Sequence, residues 1–347
     1  MTPRERWLAV LNRKPFDRVP MDYRATGEFT HKLLDYLGVK TELEMHERLH
    51  LVPILTVGPR WVGPKLDPDK DQYGIGYANV DYGTGVYRED VFHPLEQYAT
   101  IAEIEANYTW PDPDWWDYSD IPNQIVGKED WVIRGGHCEE FASFKFLRGV
   151  ARGYMDLIDK PDLVHYVMQK LYDFQYKQIE RIYDQIPGKV IWTWVADDFG
   201  TQEGMMISVE HIRDYFIPHM KRVIKLIHDG GGYVFHHSDG AVEKNLPQMI
   251  QAGIDVLDPV QWRCKGMERE GLKSKYGDQL IFHGAMDNQY TLAFGTLEEC
   301  QQEALDNLRI LGANGGLILG PCHNIQSISD PKNVVAYYDA AYEAGWQ

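Results

Sequence analysis

Cysteine is scarce in this chain. Its four residues, Cys138, Cys264, Cys300 and Cys322, lie far apart and form no CxxC pair, which argues against a disulfide framework or a structural zinc ribbon. A cysteine with a role here acts alone. Basic runs are missing as well: Lys plus Arg number 35 against 52 for Asp plus Glu, a formal charge of −17. Neither a nucleic acid nor an anionic membrane finds an electrostatic footprint in such a chain, so partners are expected among small molecules and other proteins. No apolar run reaches the length of a membrane span. The opening MTPRERWLAVLNRKPFDRVP has neither the apolar core of a signal peptide nor an Arg-rich transit composition, and a cytoplasmic location is the expectation. Repeats and low-complexity segments are also lacking.

Apolar mass, by contrast, is ample. Of 347 residues, 44% are hydrophobic and 12% aromatic, which suits one large core and is long for a barrel without additions. A single domain over 1–347 with an insertion is expected. Thr2 followed by Glu5 has the form of a capping box, and Trp7, Leu8 and Leu11 recur at helical spacing, so a helix opens the chain before Pro15 and Pro20. Strand-like runs then alternate with helical patterns such as 164–182 and 298–311. The runs lie at 19–23, 51–57, 131–134, 190–196, from Tyr233, at 256–261, from Leu280 and from Leu317. Such alternation requires parallel strands with right-handed crossovers, and eight strands close a barrel filled by its own side chains. No Gly-rich phosphate loop follows the first strand, which weakens an open doubly wound sheet. The expected class is α/β, a (β/α)8 TIM barrel.

The stretch from about 60 to 123 breaks the alternation. Within it YGIGYANVDYGTGVYRED sets Tyr and Val between Gly turns, predicting an aromatic-rich β-hairpin insertion over one mouth of the barrel. Tyr73, Tyr77, Tyr82, Tyr87, Trp110, Trp115 and Trp116 then either line a pocket or pack a small appended sheet.

Barrel active sites lie at the C-terminal ends of the strands, and polar residues cluster there in this sequence. They are Asp22 and Arg24; His137, Cys138 and Glu139; Asp197, Asp198 and Gln202; His236, His237 and Asp239; Gln261; Asp287; and Cys322 with His323. Any one of them reads equally as a helix cap or a turn residue, whereas recurrence at seven strand ends points to a site. His237, Asp239 and Cys322 offer an imidazole, a carboxylate and a thiolate, three zinc ligands with an open fourth position. The alternative is a hydrogen-bonded histidine and an inert cysteine at the barrel rim. Asp197 and Asp198 point to opposite faces at a strand end, so one of them reaches the pocket.

Longer segments carry a resemblance. The opening TPRERWLAVLNRKPFDRVP, DDFGTQEGMMIS with IPHMKRVIKLIH, HHSDGAVEKNLPQMIQAGIDVLDPVQ, and the final HGAMDN and CHNIQSISDPKNVVAYYDA together resemble the uroporphyrinogen decarboxylase-like superfamily, over most of the chain. The resemblance implies a (β/α)8 barrel. Porphyrinogen decarboxylases of that superfamily carry an RQAGR-like segment after the first strand, whose arginines hold the acidic side chains of the substrate. Here the stretch is MDYRATGEF, with Arg24 alone, too few cations for eight carboxylates. The other branch, the corrinoid-dependent methyltransferases, includes enzymes that bind zinc through a His-x-Cys pair and a later Cys. The matching positions are His237, Asp239 in place of the cysteine, and Cys322 or the adjacent His323. Losing a thiolate hardens the site, which suits an oxygen-containing substrate better than a thiol.

The resemblance therefore implies an O-demethylase methyltransferase, moving a methyl group from a methoxylated aromatic compound to the cob(I)alamin of a partner corrinoid protein. In that reading His237, Asp239 and Cys322 hold Zn2+, and His323, Asp198 or Glu139 donates a proton. Asp22, Arg24, Gln202, His236, Gln261 and Asp287 bind the substrate, and the aromatic insertion supplies stacking walls. A porphyrinogen decarboxylase and a methylcobalamin:thiol methyltransferase are the alternatives, and monomer and homodimer both stay open.

Overall fold

The computed structural model describes residues 1–83 and 85–346. Thr84, in the turn of the expected hairpin, and Gln347, at the end of the expected domain, lie outside the described residues. Seven strands form one parallel sheet in chain order: β1 (Ile54–Val57), β2 (Val132–Cys138), β3 (Trp192–Val195), β4 (Tyr233–His237), β5 (Val256–Val260), β6 (Ile281–Met286) and β7 (Leu317–Pro321). Helices connect most of them, among them Pro161–Gln185 and Ile217–Asp229. Sequential order with right-handed crossovers curls the sheet.

The run at 19–23, expected as a strand, forms isolated bridges instead of a ladder, because Pro20 has no N–H to contribute. Met21 bridges Leu319 in parallel. Leu319 N–H donates to the Pro20 carbonyl at 2.9 Å, Asp22 N–H to that of Leu319 at 2.7 Å, and Val52 N–H, just before β1, to that of Met21 at 3.2 Å. These bonds place the segment between the first and last strands, in the eighth position of the ring.

The opening helix Pro3–Leu11 carries the expected Thr2–Glu5 capping box. Its Trp7 is fully buried and stacks on Phe235, with ring centroids 5.7 Å apart. Trp7, Val10 and Leu11 join one apolar residue from each of six strands, Val132, Trp192, Phe235, Val256, Ile281 and Ile318, in an inner core. Their neighbours Ile133, Val234, Leu257, Phe282 and Leu319 belong to the outer core shared with the helices. Side chains alternate along a strand, so residues two positions beyond the inner apolar ones point inward one layer higher. On five of the strands that next layer reads Arg134, Trp194, His237, Asp258 and His283.

In the segment between β1 and β2, Arg60–Trp61 pairs antiparallel with Trp116–Asp117, and Gly76–Asp81 with Val86–Phe92. Tyr73 and Trp116 pack against Phe174 of helix Pro161–Gln185 at 5.7 and 5.3 Å. Tyr87 Oη reaches Gln326 Oε1 at 3.3 Å, in the loop after β7. No helix among the described residues is long and apolar enough to cross a membrane.

Candidate active site

Asp258, in the middle of β5, is the centre of the polar layer. Its buried carboxylate accepts from His283 Nδ1 at 2.6 Å, Trp194 Nε1 at 2.8 Å and His237 Nδ1 at 3.1 Å, and Arg24 Nη1 lies 3.6 Å away. Burial alone would raise this acid, but Arg24 and the two imidazoles outweigh it and hold the carboxyl well below the usual carboxylate range. The other ring nitrogen of His283 donates to Asp22 Oδ2 at 3.0 Å. A ring that donates from both nitrogens is an imidazolium. Burial works against that charge, yet Asp258 and Asp22 raise the His283 pKa to about 9.

With Nδ1 committed to Asp258, His237 turns Nε2 toward Asp198 Oδ1, 3.6 Å away, and Asp239 Oδ1, 3.9 Å away. One ligand atom from each of these three residues lies within 4.8 Å of the others. Asp198 is oriented by the Asp239 N–H at 2.9 Å, and Asp239 by Gln261 Nε2 at 3.1 Å. Burial, eased by His237 and reinforced by the like charge of Asp198, raises the Asp239 pKa to about 7. His323 Nε2 stands 3.8 Å from the far oxygen of Asp239. A histidine backed by a carboxylate and facing two further carboxylates is a donor set that suits a divalent cation with open positions.

Beside this group a cavity of about 460 Å³ extends into the ring, lined among others by Asp22, Arg24, Arg134, Trp192, Trp194, Asp258 and His283. Arg134 lies over the Trp194 ring at 4.1 Å and Arg24 at 5.2 Å. The β2 ladder shifts register between Arg134 and His137, where Gly136 has a φ of +82°. This bulge lets two residues three apart face the same side, so that Arg134 Nη2 approaches His137 Nδ1 at 3.4 Å and His137 Nε2 meets Glu139 at 3.1 Å.

The residues expected from sequence separate into two groups. Asp22, Arg24, Glu139, Asp198, His237, Asp239, Gln261 and His323 converge at the strand ends around Asp258. Cys322 does not join the carboxylates: its Sγ donates to the Val260 carbonyl at 3.1 Å, and burial pushes the thiol well above its usual range, which leaves it a protonated, inert group. Asp198 stands in the third place of the donor set that the sequence reading gave to Cys322. His236 faces outward, bonds the Val195 carbonyl at 2.8 Å and is driven by burial to a pKa of about 4. Gln202 pairs with Gln289 at 3.1 Å, and Asp287 caps the turn at 289–291 while binding Arg263. None of these three belongs to the group of Asp198, His237 and Asp239, and neither they nor that group are among the residues that line the cavity. Asp197 caps helix Glu140–Arg148 through the N–H groups of Phe141 and Ala142.

The cavity's aromatic lining is Tyr23, Trp192 and Trp194, not the residues of 60–123. Arg134, Trp194, Asp258 and His283 escaped the sequence reading because they sit inside strands. Their signal was a polar residue, or an indole, at the alternate position of an apolar run.

A model of the uroporphyrinogen decarboxylase (URO-D) family matches residues 145–344. No curated protein matches the chain. Among solved structures, a methyltransferase from Methanosarcina mazei is similar over 99% of this chain and 99% of its own, with a TM-score of 0.67 and 19% identity. The likeness is one of fold. A 3-keto-D-glucoside 4-epimerase from E. coli aligns over 65% of this chain and 83% of its own at 15% identity, with a TM-score of 0.40.

Proposed function

The chain belongs to the uroporphyrinogen decarboxylase family, and from that premise we propose that it is a methyltransferase that takes a methyl group from a methoxylated aromatic compound and passes it to cob(I)alamin on a partner corrinoid protein. The observation that carries the reading is the group of Asp198, His237 and Asp239 beside a cavity walled by Trp192 and Trp194. The methyltransferase from M. mazei shares the fold along its whole length, which is consistent with it. Oxygen and nitrogen donors suit an ether oxygen better than a thiol. A cavity of about 460 Å³ with two arginines in its wall is of small-ligand size and suits a single ring better than a tetrapyrrole with eight carboxylates.

Aryl methyl ethers resist cleavage because phenolate is a poor leaving group at neutral pH. Asp198, His237 and Asp239 would hold a divalent cation, zinc in this reading, and a cation there supplies Lewis-acid polarisation of the ether oxygen. Asp258 fixes the His237 tautomer so that Nε2 faces the site. In the transfer the bond between methyl carbon and ether oxygen breaks, the acceptor supplies the electron pair for the new bond to carbon, and the oxygen leaves with the old pair. In this reading His323 gives that oxygen its proton. Of the three expected donors, Glu139 is committed to His137 and Asp198 to the Asp239 N–H. The tryptophan walls and Arg24 orient the ring for in-line displacement and keep water from the reacting carbon.

The test is anaerobic spectroscopy of the purified chain with cob(I)alamin and a panel of methoxylated aromatics. Methylcobalamin is expected to form, and His237→Ala to slow it by more than about 100-fold while lowering bound metal. Turnover of a porphyrinogen without corrinoid, and no methylcobalamin from any donor, would replace this reading by decarboxylation.

A further inference from the structure

Of the charged groups that line the cavity, one cation touches no carboxylate. Asp258 is engaged by His283, His237, Trp194 and Arg24, and Asp22 by His283. Glu42, the other carboxylate on the wall, stands at the exposed rim. Arg134 is left over: it pairs with no carboxylate among the described residues. Its Nε is buried without a hydrogen-bond partner, and its side-chain bond is the long one to His137, 3.4 Å from Nη2. Burial brings its pKa down to about 10, so the group remains a cation at neutral pH.

Asp258, Asp22 and Glu139 act on Arg134 only from beyond contact distance, and a guanidinium taken out of water with no carboxylate in contact is costly, a cost that is relieved when an anion arrives. Arg134 is also held still. Its Cζ lies 4.1 Å from the Trp194 ring centroid and 5.1 Å from that of Trp192, so cation–π contact with the two indoles holds the fork of N–H groups in place before any ligand enters. A planar carboxylate is the group that such a fork binds through two parallel hydrogen bonds.

We propose that Arg134, held over Trp194, is a subsite for one carboxylate of the ligand, and that the methyl donor is accordingly an aromatic carboxylate such as a methoxybenzoate. The identity of the donor rests on the methyltransferase reading above. The carboxylate subsite rests on the cavity alone.

Calorimetric titration of the purified full chain, without any corrinoid, tests the subsite with 2-, 3- and 4-methoxybenzoate and the matching neutral methoxybenzamides. At least one acid is expected to bind tenfold or more tighter than its amide. Arg134→Met should reduce acid binding to the level of the amide and leave the amide unchanged, and Arg134→Lys should fall between. Without ligand, Arg134→Met should melt no lower than wild type, since the variant loses a buried unpaired charge; Arg134→Lys carries the test if the methionine variant does not fold. Equal binding of acids and amides, no saturable binding of any acid, or acid affinity unchanged in both variants overturns the subsite. Arg134-dependent acid binding without methylcobalamin formation keeps the subsite and sinks methyl transfer. Equal methyl transfer from acid and amide does the reverse.

Discussion

His283 shows how one side chain couples the site to stability. Its free value is about 6.5, and Asp258 and Asp22, overcoming burial, raise it to about 9 in the folded chain. Between those values the folded state binds more protons than the unfolded one, so stability falls with rising pH. The contribution is complete below about pH 6.5 and is lost as pH climbs through about 9. Melting temperature measured from pH 6.5 to 10 should therefore fall more steeply in wild type than in His283→Gln; parallel curves would show that the ring is not charged. The same residue marks a limit of sequence reading. LIFHG reads as an apolar run, and the histidine is noticed only when alternate positions are asked what layer they share. Asp197 and Asp198 were legible as diverging neighbours, but which of them bonds a helix end and which meets His237 depends on where helix Glu140–Arg148 starts beside β3.

Among the elements, the opening helix decides what lies beneath the cavity. Trp7 sits at the N-terminal end of the ring against Phe235 and Trp192, directly below the layer that holds Trp194, Asp258 and His283. Replacing a large, fully buried aromatic by alanine leaves a cavity and costs about 3–5 kcal/mol. Trp7→Ala should lower the urea midpoint accordingly with little change in slope, and a shift under about 1 kcal/mol would mean that the helix does not plug the ring. This helix was readable down to its capping box, because a cap is a contact between residues three apart. The run at 19–23 was read as a strand from its apolar character, and Pro20 reduced it to bridges. Among the strands, β4 and β5 bring the residues that matter most, since His237 and Asp258 bond across them.

At the scale of the whole molecule, a cation would tie the loop after β3 to the end of β4, and its binding would be read in global stability. A ligand that binds only the folded chain stabilises it by about 2.7 kcal/mol at a hundred times its Kd. Chelator-treated protein should gain several degrees in Tm on adding zinc. Asp239→Asn and His237→Ala should abolish the gain; a rise that survives both substitutions removes the Asp198, His237 and Asp239 group from any metal role. Cys322→Ser should leave the gain intact, because the thiol faces the Val260 carbonyl.

Periodicity by itself determined the alternation of strands and helices, the parallel sheet, and the rule that polar residues just beyond apolar runs gather at one end of it. Those properties are local: each depends on which way side chains point from one strand and on what a short segment can bury. The membership of the site was decided only by tertiary structure. Whether Asp198 or Cys322 stands third beside His237 and Asp239 depends on the stagger between strands and on which face each strand end presents. Distances across a ring are set by residues far apart in the chain, and a one-dimensional pattern does not record them. The same reason hid Arg134, whose importance lies in a partner that the surrounding strands do not supply.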